Sequence, residues 1–315
     1  MASHGAASSP AAVPHFDDLE VTPQEQLLIS QRTPLRFHTY APADALPAAA
    51  ARTLLEPYLP LGSPTPSSSS TSPLSLMLTP PRPEDSPALV STLNDPRVTP
   101  QLVGPPYPYS DELARDFILL KRRETRALLQ RLVERARREL QRAGEGVEAE
   151  QERREQGVSS EADEDAAPWL DELPLGVIRR ADGEYVGDFG VSRWQYEDVV
   201  DAEERASLVR ENEGKKAGDP SALWSFGFYL HPSYHGLGIM AHVLCRLLDV
   251  YFFSHLGLDE VRGSAFADNV ASIRTQEKCG LRRYGGCEHE VSESRGGGVR
   301  SMVVLKVTRR DFERL

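Results

Sequence analysis

The stretch from His231 to Met240, HPSYHGLGIM, decides how this 315-residue chain is read. Just before it lies LWSFGFYL, Leu223 to Leu230, a nearly continuous apolar run of the kind that forms a central strand buried on both faces. Just after it, Met240, Val243, Leu244, Leu247, Leu248 and Tyr251 recur at helical spacing and predict a helix from about Gly236 to His255. A strand end, a Gly-x-Gly and a helix start in that order make an anion site. Gly236 and Gly238 have no side chain to hold a ligand away, and the first helical turn presents unpaired N–H groups at the positive end of the dipole. A pyrophosphate is the fitting ligand. The loop is too short for a P-loop and lacks its Lys-Ser/Thr, and its glycine spacing is not the Rossmann GxGxxG. Alone, the same residues would equally serve a tight strand-to-helix turn.

A second strand-to-helix junction follows. A strand over Glu260 to Ala267 leads to Asn269-Val-Ala-Ser272, which opens a helix that runs to Glu277-Lys278-Cys279 before Gly280-Leu281. Asn269 is suited to cap that helix. Further strands are predicted over Leu281 to Val291 and Arg300 to Thr308. Upstream, strands over Leu173 to Arg180 and Tyr185 to Trp194 flank Asp182-Gly183, a strong hairpin-turn signal. The alternation of strands and helices is that of a mixed α/β sheet.

Farther toward the amino terminus, Ser110 with Asp111 and Glu112 caps a helix whose Leu113, Phe117 and Leu120 keep helical spacing, continued by Leu128, Leu129, Leu132 and Leu140. Its basic residues Lys121, Arg122, Arg123, Arg126 and Arg131 are read as a solvated helix side. Beyond Gly144 the acidic segment to Ala167 describes a solvated helix extension or a disordered loop, so a charged insertion is expected over about 121–168. Pro83-Glu84-Asp85 starts a helix to about Asn94, behind a strand at Leu74 to Thr79. Residues 1–72 are expected to be largely disordered, with weak signals for a strand at Leu35 to Tyr40 and a short helix around Ala48 to Tyr58. Either Leu35 or Leu74 could begin the first strand.

Bulk properties exclude several classes. A formal net charge of -11 gives no basic field for a phosphate backbone, so nucleic acid is not an expected partner. No apolar run approaches the ~20 residues of a membrane span, and MASHGAASSP has no signal-like pattern, so a soluble cytoplasmic protein is expected. The three cysteines, Cys245, Cys279 and Cys287, are too few and too poorly spaced for a disulfide framework or a zinc site. They are read as reduced thiols, Cys245 and Cys279 as packing groups, and no metal is expected.

Taken together, the two junctions resemble the GCN5-related N-acetyltransferase superfamily, in particular its branch similar to the ribosomal-protein alanine acetyltransferases. There a strand ending near His-Pro or Asp-Pro enters (Arg/Gln/Trp)-Gly-x-Gly-x-(Ala/Gly), and a later helix reads Asn-x-x-Ser-x-x-x-x-x-Lys-x-Gly-Phe. The similarity extends to PPRPEDSPALVSTLNDPRV, PYPYSDELARDF and DGEYVGDFGV. It implies a domain over 73–315: a mixed, mostly antiparallel sheet, splayed at the cofactor site and flanked by helices.

By position, His235, Gly236, Leu237, Gly238, Ile239 and Met240 would meet the CoA pyrophosphate, and Leu230 would lie beside the pantetheine arm. Asn269 and Ser272 would face the pantetheine and the thioester sulfur, which makes them the expected catalytic positions. The implied reaction is direct transfer of an acetyl group from acetyl-CoA to an amine acceptor, a protein α-amine or a small molecule, without metal. The departures are His235 for Arg/Gln/Trp, Met240 for a small residue, and Leu281 for Phe. Ser225 stands at the position of a basic glutamate, and Gln276 at that of an acidic tyrosine. The alternative is a CoA-binding or protein-interaction module of the same fold that transfers nothing. If it does transfer, the acceptor is expected to arrive as a free amine, with His231 and Glu288 the residues to suspect of assisting.

Overall fold

The computed structural model describes residues 19–41, 54–64, 74–155 and 167–315, excluding the side chains of 145–155. One nine-stranded sheet organises them, in the order β1-β2-β3-β4-β5-β6-β7-β9-β8. Its strands are β1 (Arg36–Tyr40), β2 (Leu54–Gly62), β3 (Leu76–Thr79), β4 (Val177–Arg180), β5 (Tyr185–Arg193), β6 (Trp224–Leu230), β7 (Glu260–Phe266), β8 (Arg282–Glu290) and β9 (Val299–Thr308). Every neighbouring pair is antiparallel except β6 and β7, which run parallel. The mixed, mostly antiparallel sheet implied by the resemblance is therefore the sheet observed.

The helices are α1 (Pro23–Arg32), α2 (Ser86–Leu93), α3 (Asp111–Glu155), α4 (Ala202–Gly214), α5 (Ile239–Leu247), α6 (Val270–Lys278) and α7 (Arg309–Phe312). α5 continues through a π-helical turn, Leu248–Phe253. Its inner face, Val243, Leu244, Leu247 and Leu248, packs with Phe189 and Leu230 of the sheet in the main core. A second core lies beneath α2 and α3, where Leu89, Leu93 and Ile118 meet Val177 and Tyr185.

Several expectations need correction. The segment read as a helix around Ala48 to Tyr58 is a strand from Leu54 onward, while 48–53 lie outside the described residues. Pro57 and Pro60 each lack an amide donor and would break a helix there, whereas Leu59 and Leu61 alternate into the core. Both candidate first strands belong to the sheet, and the β2–β3 pairing crosses the domain boundary expected at residue 73. The remaining parts of 1–72, namely 1–18, 42–53 and 65–72, lie outside the described residues.

α3 is one continuous helix, and the segment expected as an insertion carries core residues through Leu128, Leu129, Leu132, Val133 and Ala136. Its buried stripe runs Ala114, Ile118, Arg122, Thr125, Leu129, Leu132, Ala136, whereas Leu120 and Leu140 are exposed. Arg122, expected on the solvated side, is fully buried and donates from Nη1 to the Pro81 carbonyl at 3.1 Å. Residues 156–166 lie outside the described residues.

The thiol reading fails for two cysteines. Cys245 of α5 and Cys279, just past α6, form a disulfide with a Cα–Cα distance of 5.2 Å, while Cys287 stays free. The bond ties together the two helices whose first turns border the site described next.

Candidate active site

The sheet opens at one place. β5 pairs with β6 along all of Trp224 to Leu230, and β9 pairs with β7 along all of Glu260 to Phe266. Between β6 and β7, in contrast, the register rests on one pair, Trp224 with Val261. Beyond it the strands diverge toward their C-terminal ends. The His231 N–H donates to the Val186 carbonyl of β5, and antiparallel pairing alternates by two residues, so the backbone groups of Phe226 and Phe228 face the gap. This is the splay implied by the resemblance.

The gap widens into a cleft of about 930 Å³. Its wall includes Leu230, His235, Gly236, Gly238, Ile239 and Met240 from the first junction, and Asn269 and Ser272 from the second. The structure thus brings together every expected site residue except Leu237, whose side chain is exposed and does not line the cleft. Gly236 and Gly238 have φ of 75° and 73°, in the left-handed region that glycine adopts without strain, and a Cβ at either would meet nothing within 4 Å. Gly238 caps α5 without a side-chain bond. Among the described residues, the N–H groups from Gly236 through Ala241 find no protein acceptor. Free amides at a helix start, with open space before them, fit the pyrophosphate of a CoA thioester.

The departures from the family pattern have local explanations. The His235 ring Nε2 lies 3.0 Å from the Leu230 carbonyl and fastens the turn to the strand end. Leu281 is buried in the core, and Met240 is buried there too while reaching the cleft wall. Asn269 caps α6, its Oδ1 accepting from the Ser272 N–H at 3.1 Å. Gln276 is buried behind Ser272 and donates to its Oγ at 3.3 Å. Neither residue suspected of assisting lines the cleft. His231 Nδ1 accepts from the Ser233 N–H, and the exposed Glu288 accepts from Ser301 Oγ.

Two features escaped the sequence. Asp188 of β5 lines the same cleft, is buried, and leaves Oδ2 without a partner. Burial pushes its carboxyl up to about 6; Lys121 offsets part of that and Asp85 adds to it. The only sequence signal was an aspartate at a strand position where an apolar residue is usual. The second feature is a clasp. Arg295, in the β8–β9 turn, donates to the carbonyls of Thr99 at 2.8 Å and Leu102 at 2.6 Å, and also to that of Pro105. Arg300 reaches the Pro100 carbonyl at 2.5 Å. The loop so held, between α2 and α3, forms one lip of the cleft.

Among the described residues no helix is long and apolar enough to cross a membrane, and no group of His, Cys, Asp or Glu could hold a metal ion. No curated protein matches the sequence. Among solved structures, Mycobacterium smegmatis RimJ in complex with CoA-disulfide is similar at 16% identity, over 75% of this chain and 83% of that one, with a TM-score of 0.44. A GNAT-family acetyltransferase from Bacillus anthracis is similar at 13% identity, over 75% of this chain and 95% of that one, with a TM-score of 0.43. The family model described as Acetyltransferase (GNAT) domain matches residues 126–282, a span that holds both strand-to-helix junctions and the hairpin of β4 and β5. The chain belongs to the GNAT acetyltransferase superfamily.

Proposed function

We propose that this protein moves the acetyl group of acetyl-CoA directly to a primary amine, either a protein α-amine or a small-molecule amine. The observation that carries the reading is the coincidence, in one cleft, of unpaired amides at Gly236 to Ala241 with a sheet gap lined by the free backbone of β6. The amides would hold the pyrophosphate. The exposed strand edge would hold the pantetheine amides as a missing neighbour strand would, delivering the thioester into the cleft. Asn269 and Ser272 would stand beside the pantetheine and the sulfur; with Asn269 committed to its cap, the Ser272 hydroxyl is the nearer to the chemistry of the two. Holding thioester and amine together supplies much of the rate, because two diffusing reactants become one oriented pair.

The test is release of CoA thiol from acetyl-CoA in the presence of a panel of amines, beside calorimetric binding of acetyl-CoA. Turnover with at least one amine is expected. Tight binding without turnover across the panel would instead support a CoA-binding module that transfers nothing.

A further inference from the structure

An amine acceptor meets the cleft mostly as an ammonium ion, and it must lose a proton before its nitrogen can attack. Three carboxylates line the cleft, at Asp188, Glu197 and Asp268. Asp268 is exposed and pairs with Arg300 at 2.6 Å, so its charge is already answered. Glu197 lies in the loop after β5 and is half-buried, with Oε2 unpartnered. Asp188 sits within the sheet opposite Tyr229 of β6, the strand whose backbone faces the gap. It is 9% exposed, forms no ion pair among the described residues, and leaves Oδ2 without a donor. A buried carboxylate oxygen with no partner is costly to keep, and an incoming ammonium would supply what it lacks. The space is shaped around it: a Cβ on Gly176 would fall 2.9 Å from Oδ2.

Resting on the acetyltransfer reading, we propose that Asp188 is the general base of the reaction, accepting a proton from the acceptor ammonium inside the cleft. The ammonium gives one proton to the Asp188 carboxylate, and the freed nitrogen lone pair attacks the thioester carbonyl. As the tetrahedral adduct collapses, the new C–N bond remains and the C–S bond breaks. The electron pair leaves with sulfur, and the second nitrogen proton goes to the departing thiolate to give CoA thiol. The surroundings of Asp188 suit this task. Tyr185 of β5 and Tyr229 of β6, with hydroxyls 3.5 Å apart, and Tyr109 before α3 stay neutral, since burial raises all three phenols. Lys121 of α3, already paired with Glu124, and Asp85 are the charged groups acting on it. A carboxyl titrating near 6 is ionised at neutral pH yet basic enough to take a proton.

The experiment measures kcat/KM against pH for two probe acceptors, trialanine amide and Nα-acetyl-lysine amide, in the wild type, Asp188→Asn and Glu197→Gln. Both wild-type profiles should share an acidic limb breaking near 6. Asp188→Asn should lose that limb and at least a hundredfold in kcat/KM at pH 7.5, with acetyl-CoA affinity unchanged by calorimetry. Glu197→Gln should keep the limb. Wild-type profiles that simply follow each acceptor's own pKa overturn the proposal whether or not a variant folds, as does a limb lost in Glu197→Gln and kept in Asp188→Asn. No wild-type turnover with any amine would instead bring down the acetyltransfer reading, and this inference with it.

Discussion

Removing the Asp188 carboxyl from water carries its pKa from 3.8 to about 6, and the effect on folding has a definite sign. Between those values the folded chain holds a proton that the unfolded chain has released. Stability therefore falls as pH rises through that window and stays reduced above it. Asp188→Asn should accordingly resist urea better than the wild type at pH 8, by up to about 3 kcal/mol, while the two converge at pH 4. Equal differences in urea midpoint at both pH values would refute the burial account. At the other end of the cleft, Gly238→Asp would set a negative charge before the free amides, and acetyl-CoA affinity should fall by at least about tenfold. Gly238→Asn carries the same bulk, and asparagine tolerates the left-handed backbone about as well, so it should lose clearly less. Calorimetry on the pair separates charge from shape, and equal losses would count against an anion at this turn.

At the scale of elements, the site depends on joints between distant segments. The disulfide joins the last turn of α5 to the C-terminal cap of α6, tying together the two helices that start at the cleft. The Arg295 and Arg300 clasp joins the β8–β9 hairpin to the loop after α2, which is the lip an acceptor would pass. Losing hydrogen bonds from a charged donor costs about 1.5 kcal/mol or more. Arg295→Ala should therefore loosen the lip and lower acceptor kcat/KM about tenfold, chiefly through KM. Acetyl-CoA affinity should be unaffected, because none of the amides at Gly236 to Ala241 bonds to the lip. Steady-state kinetics with a good acceptor decides this, and a change confined to acetyl-CoA affinity would show that the clasp serves the cofactor half instead.

For the whole molecule, the N-terminal strands are part of one sheet and one core. Ile29, Leu35, Leu59 and Leu61 are all nearly fully buried in the cluster that holds α5, and His242 of α5 places Nε2 2.9 Å from the Leu61 carbonyl. Each large apolar side chain so buried is worth roughly 1.5–3 kcal/mol, against a total stability of about 5–15 kcal/mol for an ordinary domain. Deleting residues 1–60 should therefore abolish cooperative folding, although every cofactor motif lies downstream. Circular dichroism and acetyl-CoA calorimetry on the truncated chain test this; unaltered affinity would show the first two strands to be dispensable.

What was readable in the residues alone was the part governed by local rules. An apolar run before two glycines, a helix stripe after them, Asp182-Gly183 between alternating strands, and Asn269 at a helix start each act over a few residues. They predicted β4 through β9 and both junctions, whereas the residues expected around the cleft came from the family resemblance that those junctions carry. The tertiary structure decided the rest. Whether Arg122 meets water or the Pro81 carbonyl depends on a partner 41 positions away, and Arg295 reaches Thr99 across 196 positions. Asp188 looks like any strand aspartate until the fold buries it opposite Tyr229 at the cleft. Burial of a charge is settled by which distant segments cover it, and covering leaves no periodicity for the covered residue's neighbours to display.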